Sequence, residues 1–338
     1  WSLQRYNEAA AAARKALNIN PDLKDAYYNL ALAQIALNQF KEAIDNFNQV
    51  LNQKEKPLLG GTTDSGVRSW KSYNGLGICY VRLGDYDQAI KNFEKAFSIQ
   101  KNSANVLINL IAAYHNSGRT EKINKIIGEV SNIDYPLNQI KGVVEQIQAL
   151  GLPRQAVNLL KNIASNNREK NPGLDQVLGY LYYQQKDYTQ ASYYYSLYFK
   201  HNPFNSDHMQ RWGYCCMKTG DYQQAELHYQ QVLQQGANHW SIYHNLGTIK
   251  MELKKLDEAV YLLGKARQLN PYNVESCLNL AKINIYRKQY QKAANLLEYG
   301  LSLKQKSYQA QLNLNLAIAY YGINRIDDAL QQVLCYLE

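Results

Sequence analysis

Leu178-Gly179, Ala191 and Tyr195; Trp212-Gly213, Ala225 and Tyr229; Leu246-Gly247, Ala259 and Leu263; Leu280-Ala281, Ala293 and Leu297; Leu316-Ala317, Ala329 and Val333: residues 171–338 state one pattern five times. The alanines fall 34, 34, 34 and 36 residues apart. Thirteen positions before each stands an apolar residue, and twelve before it a small one. A bulky residue follows four positions later. Pro203 and Pro271 lie twelve past the first and third alanines. A period near 34 with fixed offsets marks a helix–turn–helix solenoid.

The offsets have a physical meaning. Each repeat holds two helices of roughly 14 residues, about 20 Å long, that must lie antiparallel and close. Glycine inside a helix costs about 1 kcal/mol against alanine, so a recurrent one needs a packing reason. We expect the small residue on the first helix to let the marker alanine of the second approach it. One helix pair cannot bury its apolar face alone, so neighbours must stack. The pattern resembles the tetratricopeptide repeat (TPR). The resemblance implies an all-α fold, a right-handed α-solenoid of stacked antiparallel helix pairs.

Outward from this block the register continues. Tyr6, Ala9, Ala13, Ala16 and Pro21 match a second helix and its closing proline, so 1–22 reads as part of a repeat and the chain as a fragment of a longer protein. A full repeat follows over 23–51, then an inserted loop over 52–69, because Ala43 and Ala89 stand 46 residues apart. Gly60-Gly61 in that insertion lacks the Gly-Lys-Ser/Thr ending of a phosphate loop. The insertion reads as a mobile loop. Residues 70–102 form a clean repeat. Over 103–171 two degenerate repeats are expected, with Ile123 in the alanine's place, and we read one continuous array with a local irregularity there. Residues 172–338 give five regular repeats.

Composition narrows the function. Only 19 % of residues are charged, and 29 tyrosines against 6 phenylalanines place amphipathic rings at helix seams and grooves. The net charge of +9 is spread thinly with no Lys/Arg block, which disfavours nucleic acid. No apolar run reaches the ~18 residues of a membrane helix. Five cysteines form no C-x-x-C pair and sit mostly at core spacings, so they read as reduced buried thiols of a cytoplasmic protein. No H-E-x-x-H, G-x-S-x-G or acidic ligand cluster is present, so we expect no enzyme, no metal and no cofactor.

Binding is what remains. TPR arrays bind in the concave groove, and the residues fourteen before each marker are expected to line it. They read Asn29, Gly75, Asn109, Gly142, Val177, Arg211, Asn245, Asn279 and Asn315. An asparagine amide offers donor and acceptor together and can pair with any peptide backbone. Such a row is similar to the asparagine ladder of O-GlcNAc transferase. Around it we place Gln176, Tyr180, Tyr183, Tyr214, Met217, His244, Thr248 and Met251, with Lys218 and Lys282 at the edge. The Lys/Asn/Arg pattern of the carboxylate clamp known in this family is absent.

The expected function is a scaffold or adaptor that holds an extended peptide or partner helix, as a subunit of a larger complex. Two alternatives stand beside it. One is the substrate-recruiting arm of an enzyme resembling O-GlcNAc transferase, and the other is a cell-envelope assembly protein.

Overall fold

The computed structural model describes residues 2–52, 67–130, 133, 135–167, 171 and 173–337. Among them there are nineteen α-helices, one π-helical turn and no strand. The chain divides into two compact units, Trp1–Leu178 and Gly179–Glu338. The division falls inside the helix Leu174–Gln184.

The N-terminal unit runs through α1 (Ser2–Ile19), α2 (Lys24–Ala36), α3 (Phe40–Asn52), α4 (Ser72–Arg82), α5 (Tyr86–Ile99), α6 (Ala104–Asn116), α7 (Thr120–Glu129), α8 (Leu137–Ala149) and α9 (Pro153–Asn167). Of the expected loop 52–69, Asn52 closes α3 and 67–69 belong to the π-helical turn Val67–Lys71 that leads into α4. The rest of that loop, with Gly60-Gly61, lies outside the described residues. Pairing is regular from α1 to α5. Beyond it α6 packs on both α7 and α8, and α7 packs on α9.

The C-terminal unit begins within α10 (Leu174–Gln184) and continues as α11 (Tyr188–His201), α12 (Ser206–Thr219), α13 (Tyr222–Gln234), α14 (Trp240–Glu252) and α15 (Leu256–Leu269). It ends with α16 (Val274–Tyr286), α17 (Tyr290–Ser302), α18 (Lys306–Gly322) and α19 (Ile326–Leu337). From α11 to α19 each helix packs on the one that follows it.

Local chemistry fixes every turn at the same place. Five residues before each marker the backbone enters the left-handed region: Asn38, Gly84, Gly118, Gly151, Lys186, Gly220, Lys254, Lys288 and Asn324. Glycine meets this without a Cβ clash. At the next position Asp85, Asp187 and Asp221 accept a hydrogen bond from the amide three residues on, capping the second helix. The turn is therefore the same in the irregular repeats as in the regular ones.

The core confirms the register and corrects its explanation. Ala43, Ala89, Ala191, Ala225, Ala259 and Ala293 are fully buried. The nearest neighbour of the small residue of the first helix, however, is the bulky residue four past the marker. A Cβ on Gly179 would stand 3.1 Å from Tyr195, one on Gly213 3.0 Å from Tyr229, and one on Gly247 2.8 Å from Leu263. Glycine is there to seat a ring or a leucine. The alanine lets the backbones close, and the glycine takes the large side chain that follows it.

Candidate functional site: the inner face of the C-terminal unit

Packing tells which face is the inner one. In the C-terminal unit α12 packs directly on α14, α14 on α16, and α16 on α18. No comparable packing joins α13 to α15 or α15 to α17 among the described residues. Helices that touch on one side and stand apart on the other make a curved stack, with the first helices inside. Residues at i, i+4, i+7 and i+11 share a helix face. On α12 these are Asp207, Arg211, Tyr214 and Lys218; on α14 Ser241, Asn245 and Thr248. On α16 they are Glu275, Asn279 and Lys282, and on α18 Gln311 and Asn315. All are half-buried or exposed.

The asparagine row is present but is not a set of idle amides. Asn245 Nδ2 donates to the Tyr229 hydroxyl at 2.8 Å, and Asn279 Nδ2 to Thr248 Oγ1 at 3.1 Å. Asn315 Nδ2 donates to the Gln311 carbonyl of its own helix at 2.7 Å. In the N-terminal unit Asn109 Nδ2 donates to Asn74 Oδ1 at 2.9 Å, while Asn29 is exposed on α2. Gln176 is half-buried in that unit, and Gly75 and Val177 of the same row are buried. The reason is register. A residue of this row lies beside the bulky residue of the preceding repeat, as Gly75 does under Phe47 and Asn245 beside Tyr229.

That neighbour gives two buried phenols opposite fates. Tyr229 has Asn245, whereas the hydroxyl of the fully buried Tyr195 has no hydrogen-bond partner. Leaving one partner of a buried hydrogen bond unsatisfied costs about 1–3 kcal/mol. Tyr229→Phe is therefore expected to destabilise by about 1 kcal/mol, and Tyr195→Phe to be neutral or to stabilise by a similar amount. Urea unfolding of the two variants side by side checks this. Equal losses would mean that the Asn245 bond contributes nothing.

Aromatic rings gather at the start of the inner face. Tyr183, Tyr188 and Tyr214 meet edge to face with centroids 5.7–6.1 Å apart. Lys218 Nζ stands 5.2 Å from the Tyr214 ring, and the Arg211 guanidinium 5.1 Å from that of Tyr180. Below them Tyr183, Asp207, Arg211, Tyr214 and Asn245 line a hollow of about 270 Å³. Met217 and Met251 instead pack against core clusters, because each lies on the side of its helix that meets the neighbouring second helix. Lys282 is exposed.

His244 is buried rather than presented to the groove. Its Nδ1 is 2.9 Å from Ser276 Oγ and its Nε2 3.3 Å from Glu275 Oε2. The Tyr308 hydroxyl donates to the other carboxylate oxygen at 2.6 Å. The hydrogen bond from His244 holds the Glu275 carboxyl down at about 2 against the opposing effect of burial, with Tyr308 and Lys218 adding to it. Bonding to that carboxylate, and then burial, push the Tyr308 phenol up to about 12. Sequence reading included His244 and missed both Glu275 and Tyr308. The acid and the phenol are 33 residues apart, and only the stacking of α16 on α18 joins them.

The sequence model of the tetratricopeptide repeat matches residues 1–59, 70–103 and 217–274. These stretches are tetratricopeptide repeats, and the chain carries a TPR repeat array. Among curated relatives of this TPR chain, the BBSome complex member BBS4 of Bos taurus is 21 % identical over 313 residues, covering 92 % of this chain and 50 % of the relative. The photosystem I assembly protein Ycf3 of Rippkaea orientalis (strain PCC 8801 / RF-1) is 27 % identical over 106 residues, covering 31 % of this chain and 56 % of that protein. The chain thus spans about half the length of the curated relatives it matches. Among solved structures, the MamA protein aligns with a TM-score of 0.44 at 18 % identity, over 50 % of this chain and 91 % of that one. The APC/C hetero-tetramer Cut9-Hcn1 aligns with a TM-score of 0.44 at 15 % identity, over 99 % of this chain and 84 % of that one.

Elsewhere the TPR array offers little reactive chemistry. Cys79, Cys215, Cys216 and Cys277 are buried free thiols, and Cys335 is exposed. Burial pushes the Cys79 and Cys215 thiols up to about 12, which leaves them protonated and unreactive. No group of three His, Cys, Asp or Glu side chains is placed to hold a metal among the described residues. None of the described helices is long and apolar enough to cross a membrane.

Proposed function

We propose that this TPR chain is a non-catalytic protein-interaction scaffold, and that the inner face of its C-terminal unit holds an extended segment of a partner protein. The observation that supports it is the curved stack of first helices, which presents half-buried asparagines and tyrosines and exposed lysines in register. Tyrosine is enriched at protein interfaces, and an extended segment can use the amide carbonyls that the internal bonds of Asn245 and Asn279 leave open. The names of the relatives, a member of one complex and an assembly factor for another, favour a role within a multiprotein assembly.

Site-specific photo-cross-linking tests this reading. A photoreactive residue is placed at Lys282 or Asn315 on the inner face, or at Tyr261, which is exposed on α15. In cells the inner positions are expected to yield a shared partner, mapped by mass spectrometry to one contiguous segment. Adducts from position 261 alone would overturn the groove reading.

A further inference from the structure

We propose that the hollow around Arg211 takes a single carboxylate side chain, aspartate or glutamate, from the partner segment. This deepens the inner-face reading above and rests on it. Two other arginines in the C-terminal unit have acidic partners, Arg287 at 2.7 Å from Asp257 and Arg325 at 2.7 Å from Asp328, whereas Arg267 stands over the Tyr299 ring. Arg211 has no carboxylate within ion-pair distance among the described residues. Its contacts are the Tyr180 ring and, at 3.3 Å, His208 Nδ1. It also leaves the nearby Tyr195 hydroxyl without a partner, although the equivalent position one repeat later, Asn245, bonds Tyr229. The guanidinium is thus drawn away from the seam and held against Tyr180.

The walls of the hollow suit an anion with two acceptor oxygens. Arginine is a planar fork of donors that matches a carboxylate, and stacking on an aromatic face fixes its plane in advance. Tyr183, Tyr214 and Asn245 add hydroxyl and amide groups around it. A volume of about 270 Å³ admits one side chain. Asp207 stands four residues before Arg211 on the same helix face, exposed, and farther away than an ion pair allows. It repels a carboxylate without neutralising the guanidinium. The subsite therefore carries one attractive and one repulsive charge, and their removal must act in opposite directions.

The test uses the whole chain and two fluorescein-labelled probes, decaglutamate and decaglutamine, read by fluorescence anisotropy at fixed salt. Decaglutamate is expected to bind about tenfold or more tighter than decaglutamine. Arg211→Gln should remove about tenfold of that affinity, and Arg211→Lys, which keeps the charge but loses the fork, several-fold. Asp207→Asn should tighten binding several-fold. Lys288→Gln, the same charge change on an exposed turn, should stay within about twofold. The proposal is overturned if decaglutamate does not bind, if Arg211→Gln and Lys288→Gln weaken it equally, or if Asp207→Asn weakens it. Failure here with cross-links from Lys282 and Asn315 intact would remove the acid subsite alone. Loss of those cross-links would remove the inner-face reading itself.

Discussion

Replacing Lys250 by methionine is expected to lower the stability of the array by about 3 kcal/mol. Lys250 is buried on α14, its Nζ 2.7 Å from Glu226 on α13 and also paired with Glu258 on α15. Lys255 reaches the second oxygen of Glu226 at only 3.6 Å. Removing the ammonium leaves two carboxylates facing each other, one of them only 16 % exposed. Breaking a buried pair from one side costs about 3–5 kcal/mol, because the remaining charge is stranded. The double variant Lys250→Met/Glu226→Gln should regain more than half of the loss. Urea unfolding followed by circular dichroism measures both. A loss under about 1 kcal/mol would place this cluster with ordinary surface ion pairs.

The same cluster sets a pH window. Burial alone would raise the Glu226 carboxyl, but the hydrogen bonds and charges of Lys250 and Lys255 together outweigh it and hold the group below its usual 4.5. That contribution is lost as pH falls from 4.5 toward the folded value. Burial would likewise lower Lys250, and its bonds to Glu226 and Glu258 reverse this, lifting it above 10.5. Its contribution disappears as pH rises through that lifted value. The cost of Lys250→Met should therefore be largest between these limits.

The second large effect contrasts one substitution at two glycines. A Cβ on Gly77 would lie under 3.0 Å from the ring of Phe93, which is fully buried and cannot swing aside. Overpacking of this kind costs about 1–3 kcal/mol, and the extra helix propensity of alanine returns about 1. Gly77→Ala should thus destabilise by about 1 kcal/mol, and by about 2 at most. Gly264, inside α15, has nothing within 4 Å of its would-be Cβ. There Gly264→Ala should stabilise by about 0.5–1 kcal/mol. Midpoints of urea denaturation for the two variants should move in opposite directions. Movement in the same direction would show that the glycine of the first helix is not a seat for the ring.

The repeat itself was legible because its signals are local and recur: the alanine, the bulky residue four later, the small one twelve earlier. The partner of that small residue was misread, since sequence spacing does not say which of two neighbours on α5 meets Gly77. Counting also missed the backbone's own marker. The left-handed residue before each second helix is glycine in only some repeats and Asn38, Lys186, Lys254, Lys288 or Asn324 in others. At the candidate site, Arg211, Tyr214 and Lys282 were found from their register. The internal bonds of Asn245 and Asn279 were not, because each depends on a residue in the preceding repeat. The ion cluster around Lys250 left no periodic trace, its two carboxylates lying 24 residues before and 8 after it.

Glu275 has a consequence for how the C-terminal unit comes apart. Stacked repeats behave as a chain of coupled elements, each with its own stability and a link to its neighbours. A carboxylate that accepts from Tyr308 of α18 and touches His244 of α14 ties three successive first helices through one side chain. Strong links relative to intrinsic stability make long blocks melt together, and weak links let the ends fray one repeat at a time. Near neutral pH α14, α16 and α18 should open as a single block. In acid the contribution of the Glu275 carboxylate is lost as pH falls from 4.5 toward about 2, where it takes up its proton, so the link weakens and the same helices should peel away in turn.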